Sequence, residues 1–276
     1  MSCTIEELQQ VEYEMLSIFD EYCKKHSIKY VLGYGTLLGA IGHNGFIPWD
    51  DDIDLIMDNI DFKKLMKAIK KDPIDGIFFQ WYKTDKEYPF HFAKLRKNKT
   101  LMSEWKHREL HIHHGVYIDL FIYVSKPKTN IGIKLQEFVL GFFQLSLEKD
   151  LNLMKLSQGK EVDFSSGITK LILKTPSPIL NMLRNIIFFF LCFFNDTSSE
   201  NVREYNYFGD YNICEKRSFF EPQISHKFGE KEFPVPENYD DLLRFIYGDD
   251  YMTPIKTHNH IDLSVVELEY DGNYGK

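Results

Sequence analysis

Four aspartates fall in one short run, WDDDID, where Asp50, Asp51, Asp52 and Asp54 lead into the apolar Leu55, Ile56 and Met57. A fifth, Asp119, stands inside the apolar run VYIDLFI. Alternate residues of a strand point to one face, so Asp52 and Asp54 are expected to project together, with Asp50 joining them if the strand starts early. Carboxylates held a few ångströms apart resist ionisation. A divalent cation removes that conflict, and an all-oxygen ligand set suits Mg²⁺ or Mn²⁺. The alternative is a solvated acidic loop, against which stand the apolar flanks, Trp49 on one side and Leu55 on the other. An EF-hand loop starting at Asp50 is excluded, because Leu55 falls where the turn needs Gly and Asp61 where Glu is required. A carboxylate inside a buried strand must be paired or metal-bound. Asp119 is therefore either the partner of a buried Arg or Lys, or a third metal ligand able to take a proton from an attacking hydroxyl.

Upstream of the acids, Gly33-Tyr34-Gly35-Thr36 reads as a turn opening a short helix. Glycines let the backbone approach an anion, and the free N–H groups of a helix start favour phosphate, which makes Gly35 and Thr36 candidate donor contacts. Trp49 could stack on a base or sugar, or brace the acidic turn from the core. His107, His111, His113 and His114 crowd the approach to Asp119 and could form a second metal site, an acceptor contact or an exposed strand edge. His258 and His260 could close over the site or lie on a solvated tail. No Gly-x-Ser-x-Gly elbow and no Walker-type loop is present, which removes serine-hydrolase and P-loop readings.

The elements that must hold these residues follow from periodicity. Thr4 and Glu7 form a capping-box signature, and Leu8, Val11, Met15, Ile18 and Phe19 recur at helical spacing to about residue 25. Strands are expected over 28–34, the second half of 50–57, 76–83, 91–96 and 116–124, the last buried on both faces. Helices are expected over 36–41, 61–71, 131–147, 168–173, 179–194 and 240–247, with a strand and loop over 229–239 and loops over 157–167 and 195–199. The reading is an α+β chain with a catalytic half over 1–127 and a more helical half over 128–276 that completes the active site on the acceptor side. The chain has 276 residues, a formal charge of −8 and no long basic stripe, which argues against nucleic-acid binding. Four unpaired-looking cysteines and no visible leader point to a reducing, cytoplasmic setting. Residues 186–194, IIFFFLCFF, are wholly apolar but too short to span a bilayer, so they read as a buried helix or a membrane-surface or partner contact.

The run GTLLGAI…HNGFIPWDDDID resembles the signature of the LicD/fukutin family of the nucleotidyltransferase superfamily. GVYIDLF resembles that family's second acidic strand, and FAKLRKNKT and FPVPENYDDLLRFIYGDDYMTP resemble further family segments. The resemblance implies a nucleotidyltransferase-like mixed sheet flanked by helices. It implies transfer of phosphocholine or a related alcohol phosphate from a CDP-activated donor, CDP-choline foremost, to a hydroxyl of a cell-surface glycan, with release of CMP. It makes Asp52 and Asp54 the metal-binding pair, Asp119 the third carboxylate, and Lys94 and Arg96 basic positions suited to donor phosphates, with His43 of the turn also on the donor side. Many relatives carry Arg and Lys around that His, whereas Gly42 and Asn44 flank His43 here. The rival readings are an Asp-x-Asp metal-dependent glycosyltransferase and an inactive glycan-binding relative.

Overall fold

The computed structural model describes residues 3–88, 90, 92–102, 110–150, 167–193, 199–204, 215–253 and 261–272. The expectations for His107, His258, His260 and the loop over 157–166 lie outside these residues.

Helix α1 (Ile5–His26) starts at the expected capping box, with Glu7 N–H donating to the Thr4 hydroxyl and the Thr4 N–H to the Glu7 carboxylate. Its buried seam runs through Leu8, Glu12, Met15, Leu16, Phe19 and Cys23. The seam is rotated from the expected one: Ile18 is exposed and Val11 only half-buried, while Glu12 takes an interior position. A short β1 (Val31–Leu32) leads to α2 (Tyr34–His43), and β2 (Asp54–Asp58) follows after the acidic run. Asp58 then caps α3 (Asn59–Lys71) by accepting from the Ile60 N–H at 2.7 Å.

Strands β3 (Ile77–Gln80), β4 (Ala93–Lys97) and β5 (Tyr117–Ser125) complete the central sheet, in the order β1-β2-β5-β4-β3. β2 and β5 are parallel and the other neighbours antiparallel, so the sheet is mixed and the chain α+β as expected. β5 is buried along nearly its whole length, which is why its sequence reads as a continuous apolar run.

The second half contributes α4 (Asn130–Asp150), α5 (Gly167–Lys174) and α6 (Ser177–Phe193). The sheet continues past residue 127: β6 (Asn201–Glu204) pairs with the end of β5, and β7 (Glu215–Lys216) with β6. A hairpin of β8 (Gln223–Phe228) and β9 (Lys231–Pro236) turns at Gly229, whose φ of +65° suits glycine, and α7 (Tyr239–Tyr247) follows. The Gly229 N–H donates to Asn44 O at 2.7 Å, tying the hairpin to the end of α2. β6, β7 and β8 were not anticipated; they are short, and β8 is largely solvent-facing, so neither carries a period-2 apolar signal.

Gly39 sets how closely the chain returns along α2 at Gly45–Ile47, ahead of the acidic run, because a Cβ there would lie 2.5 Å from Gly45 O and 3.1 Å from Ile47 N. Those are backbone atoms and cannot swing aside. Gly39→Ala should therefore lower stability by about 1–3 kcal/mol, as overpacking does. The measurement is the urea midpoint, and an unchanged midpoint would refute the close-packing role.

Candidate functional site

Cross-strand register builds the site. Gln80 lies opposite Lys94, Lys94 opposite Asp119, and Asp119 opposite Asp54, so four strands place one polar rung across one face of the sheet. Neighbouring strands lie about 5 Å apart, which brings Asp54 and Asp119 together although they are far apart in the chain. The Lys94 ammonium sits 2.7 Å from Asp119 Oδ1 and 3.4 Å from the centre of the Tyr117 ring, with both charged side chains deeply buried. The paired reading of Asp119 is thus observed, and its neighbour across the parallel pair is a second carboxylate.

Asp52 lies on the same side as Asp54. β2 begins at Asp54, but the Asp119 N–H donates to Ile53 O at 2.8 Å, and burial alternates from 50 to 55, with Asp51, Ile53 and Leu55 buried and Asp50, Asp52 and Asp54 half-buried. Ligand oxygens of Asp50, Asp51 and Asp52 all lie within 4.8 Å of one another, and this is the candidate cation group among the described residues. Asp51 is 2% exposed and its Oδ2 accepts from the Ile261 N–H at 2.9 Å, which anchors the run to the C-terminal segment. Burial, then Asp52, Asp119 and Asp50, push the Asp54 carboxyl well above the usual range, with Lys94 opposing them.

The glycine turn abuts the acids. Thr36 Oγ1 accepts from the Asp54 N–H at 2.8 Å, and the Gly33 N–H donates to Asp54 O at 2.9 Å. These bonds clip the start of α2 to the start of β2, and the buried Thr36 hydroxyl serves the backbone there. A Cβ on Gly35 would lie 2.9 Å from Asp50 Oδ2, so the glycine lets the carboxylate come against the helix start.

Three other expected donor residues are placed differently from one another. His43 is exposed at the far end of α2, about 13 Å along the axis from the glycine turn by helical rise, so the structure does not bring it to the acids. Arg96 is 1% exposed, and its Nε donates to Gln80 Oε1 and its NH1 to Gly115 O, each at 2.8 Å. Its guanidinium braces β3, β4 and the approach to β5. Trp49 is half-buried and packs on the core beside the acidic run.

The described histidines are not assembled as a metal site. His113 accepts from the Gly115 N–H at its Nδ1, bonds Asn98 through Nε2 and stacks on Phe78; burial and Arg96 push it down to about 3, so it is neutral. His114 bonds Leu110 O through Nε2, and His111 is exposed.

Two residues near the acids escaped sequence reasoning. Tyr247 at the end of α7 is 43% exposed, yet partial desolvation of its phenol and then the charges of Asp54, Asp50 and Asp52 raise it above the usual value. Glu12 of α1 is fully buried and senses Asp52, Asp51, Asp50 and Asp119. The only local signal for Glu12 was its place in the helical seam.

Comparison with known proteins agrees with this geometry. Residues 27–135 match the family described as LicD/FKTN/FKRP, nucleotidyltransferase domain. Over 257 residues the chain is 26% identical to the lipopolysaccharide cholinephosphotransferase LicD of Haemophilus influenzae, covering 89% of this chain and 91% of that protein. It is also 42% identical over 62 residues to an uncharacterised protein of Rickettsia typhi, covering 21% of this chain and 20% of that protein. The matched segment runs from β1 through β5, the stretch that carries the glycine turn, the acidic run and Asp119, so the part of the chain that builds the site is the part similar to the LicD/FKTN/FKRP nucleotidyltransferase domain.

Proposed function

We propose that the chain is a phosphotransferase that moves phosphocholine, or a related alcohol phosphate, from a CDP-activated donor to a hydroxyl of a cell-surface glycan and releases CMP. The observation that carries this reading is the convergence of Asp54 and Asp119 in register on parallel strands, with Asp52 beside them. The similarity to a lipopolysaccharide cholinephosphotransferase over most of both chains supports the transferred group and the acceptor class.

The donor set fits a divalent cation. Oxygens of Asp50, Asp51 and Asp52 lie within 4.8 Å of one another, and burial beside them makes bare ionisation of Asp54 unfavourable. Asp52, Asp54 and Asp119 would hold Mg²⁺ or Mn²⁺, which when bound offsets the charge of the donor diphosphate and of the transition state. The side chains supply the rest. Lys94 orients the Asp119 carboxylate and adds positive charge on the donor side. Asp119 takes the proton of the acceptor hydroxyl as its oxygen bonds to the phosphorus carrying the alcohol, and the bond from that phosphorus to CMP breaks. The N-terminal turn of α2 offers N–H groups to the departing phosphate.

Attachment to a membrane surface belongs to the same reading. Among the described residues no helix is long and apolar enough to cross a membrane. Ile131, Leu135 and Phe138 nevertheless form an exposed stripe on α4, and Ile179, Met182 and Ile186 form another on α6. Lys134, Lys170 and Lys174 are exposed on α4 and α5, on a chain of net charge −8. Apolar stripes bordered by lysines suit the surface of an anionic bilayer, where a lipid-linked glycan would be met.

The decisive assay mixes the protein with CDP-choline, other CDP-alcohols and a glycan panel, with products read by mass spectrometry. CMP and a phosphocholine-bearing glycan are expected; a released nucleoside diphosphate would instead favour the glycosyltransferase reading. Asp52→Asn, Asp54→Asn and Asp119→Asn should each lower kcat at least about 100-fold, a loss of the size seen when one transition-state contact is removed, with unchanged circular dichroism. EDTA should abolish turnover and Mg²⁺ or Mn²⁺ restore it.

Cation-free stability should also depend on pH. Asp54 and Glu12 in the fold keep their protons above the unfolded carboxylate value near 4, so folding takes up protons there. Stability without cations should fall as pH rises from about 4 through the raised folded values, and saturating Mg²⁺ should flatten the fall. Urea midpoints in EDTA that rise over this range would contradict the assignment. In vesicle flotation, binding to anionic but not zwitterionic lipid is expected, weakened by Leu135→Glu with Met182→Glu; equal flotation of that variant would remove the membrane role of this face.

A further inference from the structure

β5 is buried at every position except Phe121, which is half-buried. β5 lies between β2 and β4, so this opening is not an edge effect. Phe121 follows Asp119 by two residues, which puts both on one face of the sheet, about 7 Å apart along the strand. It stands opposite Ile56 as Asp119 stands opposite Asp54. A ring in the middle of a sheet is ordinarily covered by the next layer. Here it is left partly open one rung from the acids.

A second half-buried ring completes a corner. Tyr34, the first residue of α2, meets Phe121 with ring centres 5.1 Å apart and planes at 78°. Tyr34 has φ of +40°, a left-handed conformation that costs a tyrosine and not a glycine. Gly33 beside it keeps φ of −121°, so the strain falls on the aromatic residue. A strained side chain at a ligand turn is a sign that the side chain itself is wanted there. Phe92 backs Phe121 with ring centres 5.0 Å apart, and Lys94 Nζ lies 5.6 Å from the Phe92 ring centre, so this row already accommodates a cation.

We infer that Phe121 and Tyr34, backed by Phe92, form the subsite for the alcohol head of the donor and select a quaternary ammonium over a polyol. The inference rests on the phosphotransferase reading proposed above and deepens it. Aromatic faces attract a quaternary ammonium, which has methyl groups in place of hydrogen-bond donors. The side chains flanking Phe121 on its rung, Ile56 and Phe92, are apolar, so hydroxyls of a polyol would go unpaired there. The acids one rung away disfavour an anionic head. Reach agrees as well. The phosphorus under attack is the one served by Asp119, and a short carbon chain joins it to the head. The nucleobase, beyond the second phosphate and the ribose, falls farther off.

The test is calorimetric binding of CDP-choline, CDP-glycerol and CMP, with Mg²⁺ present, to the native chain, Phe121→Leu and Phe121→Tyr. The native chain should bind CDP-choline at least about tenfold more tightly than CDP-glycerol, and Phe121→Leu should reduce that ratio about tenfold. Phe121→Tyr, which keeps a ring, should retain the ratio. CMP, which carries no alcohol, should bind all three proteins with similar affinity. Equal binding of both CDP-alcohols by the native chain, or an unchanged ratio in Phe121→Leu, overturns the inference and leaves alcohol-phosphate transfer standing. A loss of CMP affinity in step with CDP-choline assigns the ring to the base and overturns it too. No binding of either CDP-alcohol defeats both readings. Should Phe121→Leu fail to fold, Tyr34→Gly relieves the backbone strain while removing the other ring. A reduced ratio in Tyr34→Gly supports the inference, and a native ratio refutes it.

Discussion

Repulsion among carboxylates gathered at the start of β2 and β5 is the constraint around which the site is arranged. Two such charges about 5 Å apart repel by roughly 3 kcal/mol at an effective dielectric near 20, and several share this space. The surrounding fold resists that pressure at identifiable points. Thr36 and Gly33 hold the Asp54 backbone, Gln9 holds the Asp50 carbonyl, Ile261 holds Asp51, and Lys94 holds Asp119. These contacts come from both ends of the chain, so the acids are held against their repulsion by tertiary structure rather than by one local motif. In the proposed reading, a cation entering this site would relieve the repulsion that those contacts resist.

Whether each part of this was readable in the sequence depended on the range of the interaction. The capping box of α1, the buried run of β5 and the Gly33–Thr36 turn are local patterns, and each stands where it was expected. Asp52 and Asp54 share a side as alternation predicts, since burial alternates from 50 to 55 and the Asp119 N–H pairs with Ile53 O just ahead of β2. Asp119 presented two readings, ion pair or metal site. It proves to have Lys94 on one side and Asp54 on the other, because β5 lies between β4 and β2. Register between strands far apart in sequence is set by the packed sheet, and no window of residues contains it.

Glu12 shows the limit from the other direction. A helical seam is recognised by its apolar residues, so a carboxylate within it shifts the inferred face toward Val11 and Ile18 and hides itself. Arg96 is governed by a related constraint. Its type suits phosphate, but β4 is an inner strand, and its guanidinium is occupied by Gln80 and the Gly115 carbonyl. In both cases burial decided the role, and burial is a property of the assembled sheet.

The same parallel pair of strands has two ends with acids, and comparing them argues which one does chemistry. At the far end Asp58 caps α3 through the Ile60 N–H and lies 3.4 Å from Arg217, which also bonds Ser125 and the Ser199 carbonyl. That carboxylate is matched by a helix start and a guanidinium, so its charge is balanced within the fold. At the near end the number of acids exceeds what structure requires, and Glu12 adds one more from a helix that could have offered leucine. Stability alone favours the first arrangement and works against the second. Such a surplus of buried carboxyls is what the proposed divalent cation would offset, and an all-oxygen ligand set is the kind a hard cation takes.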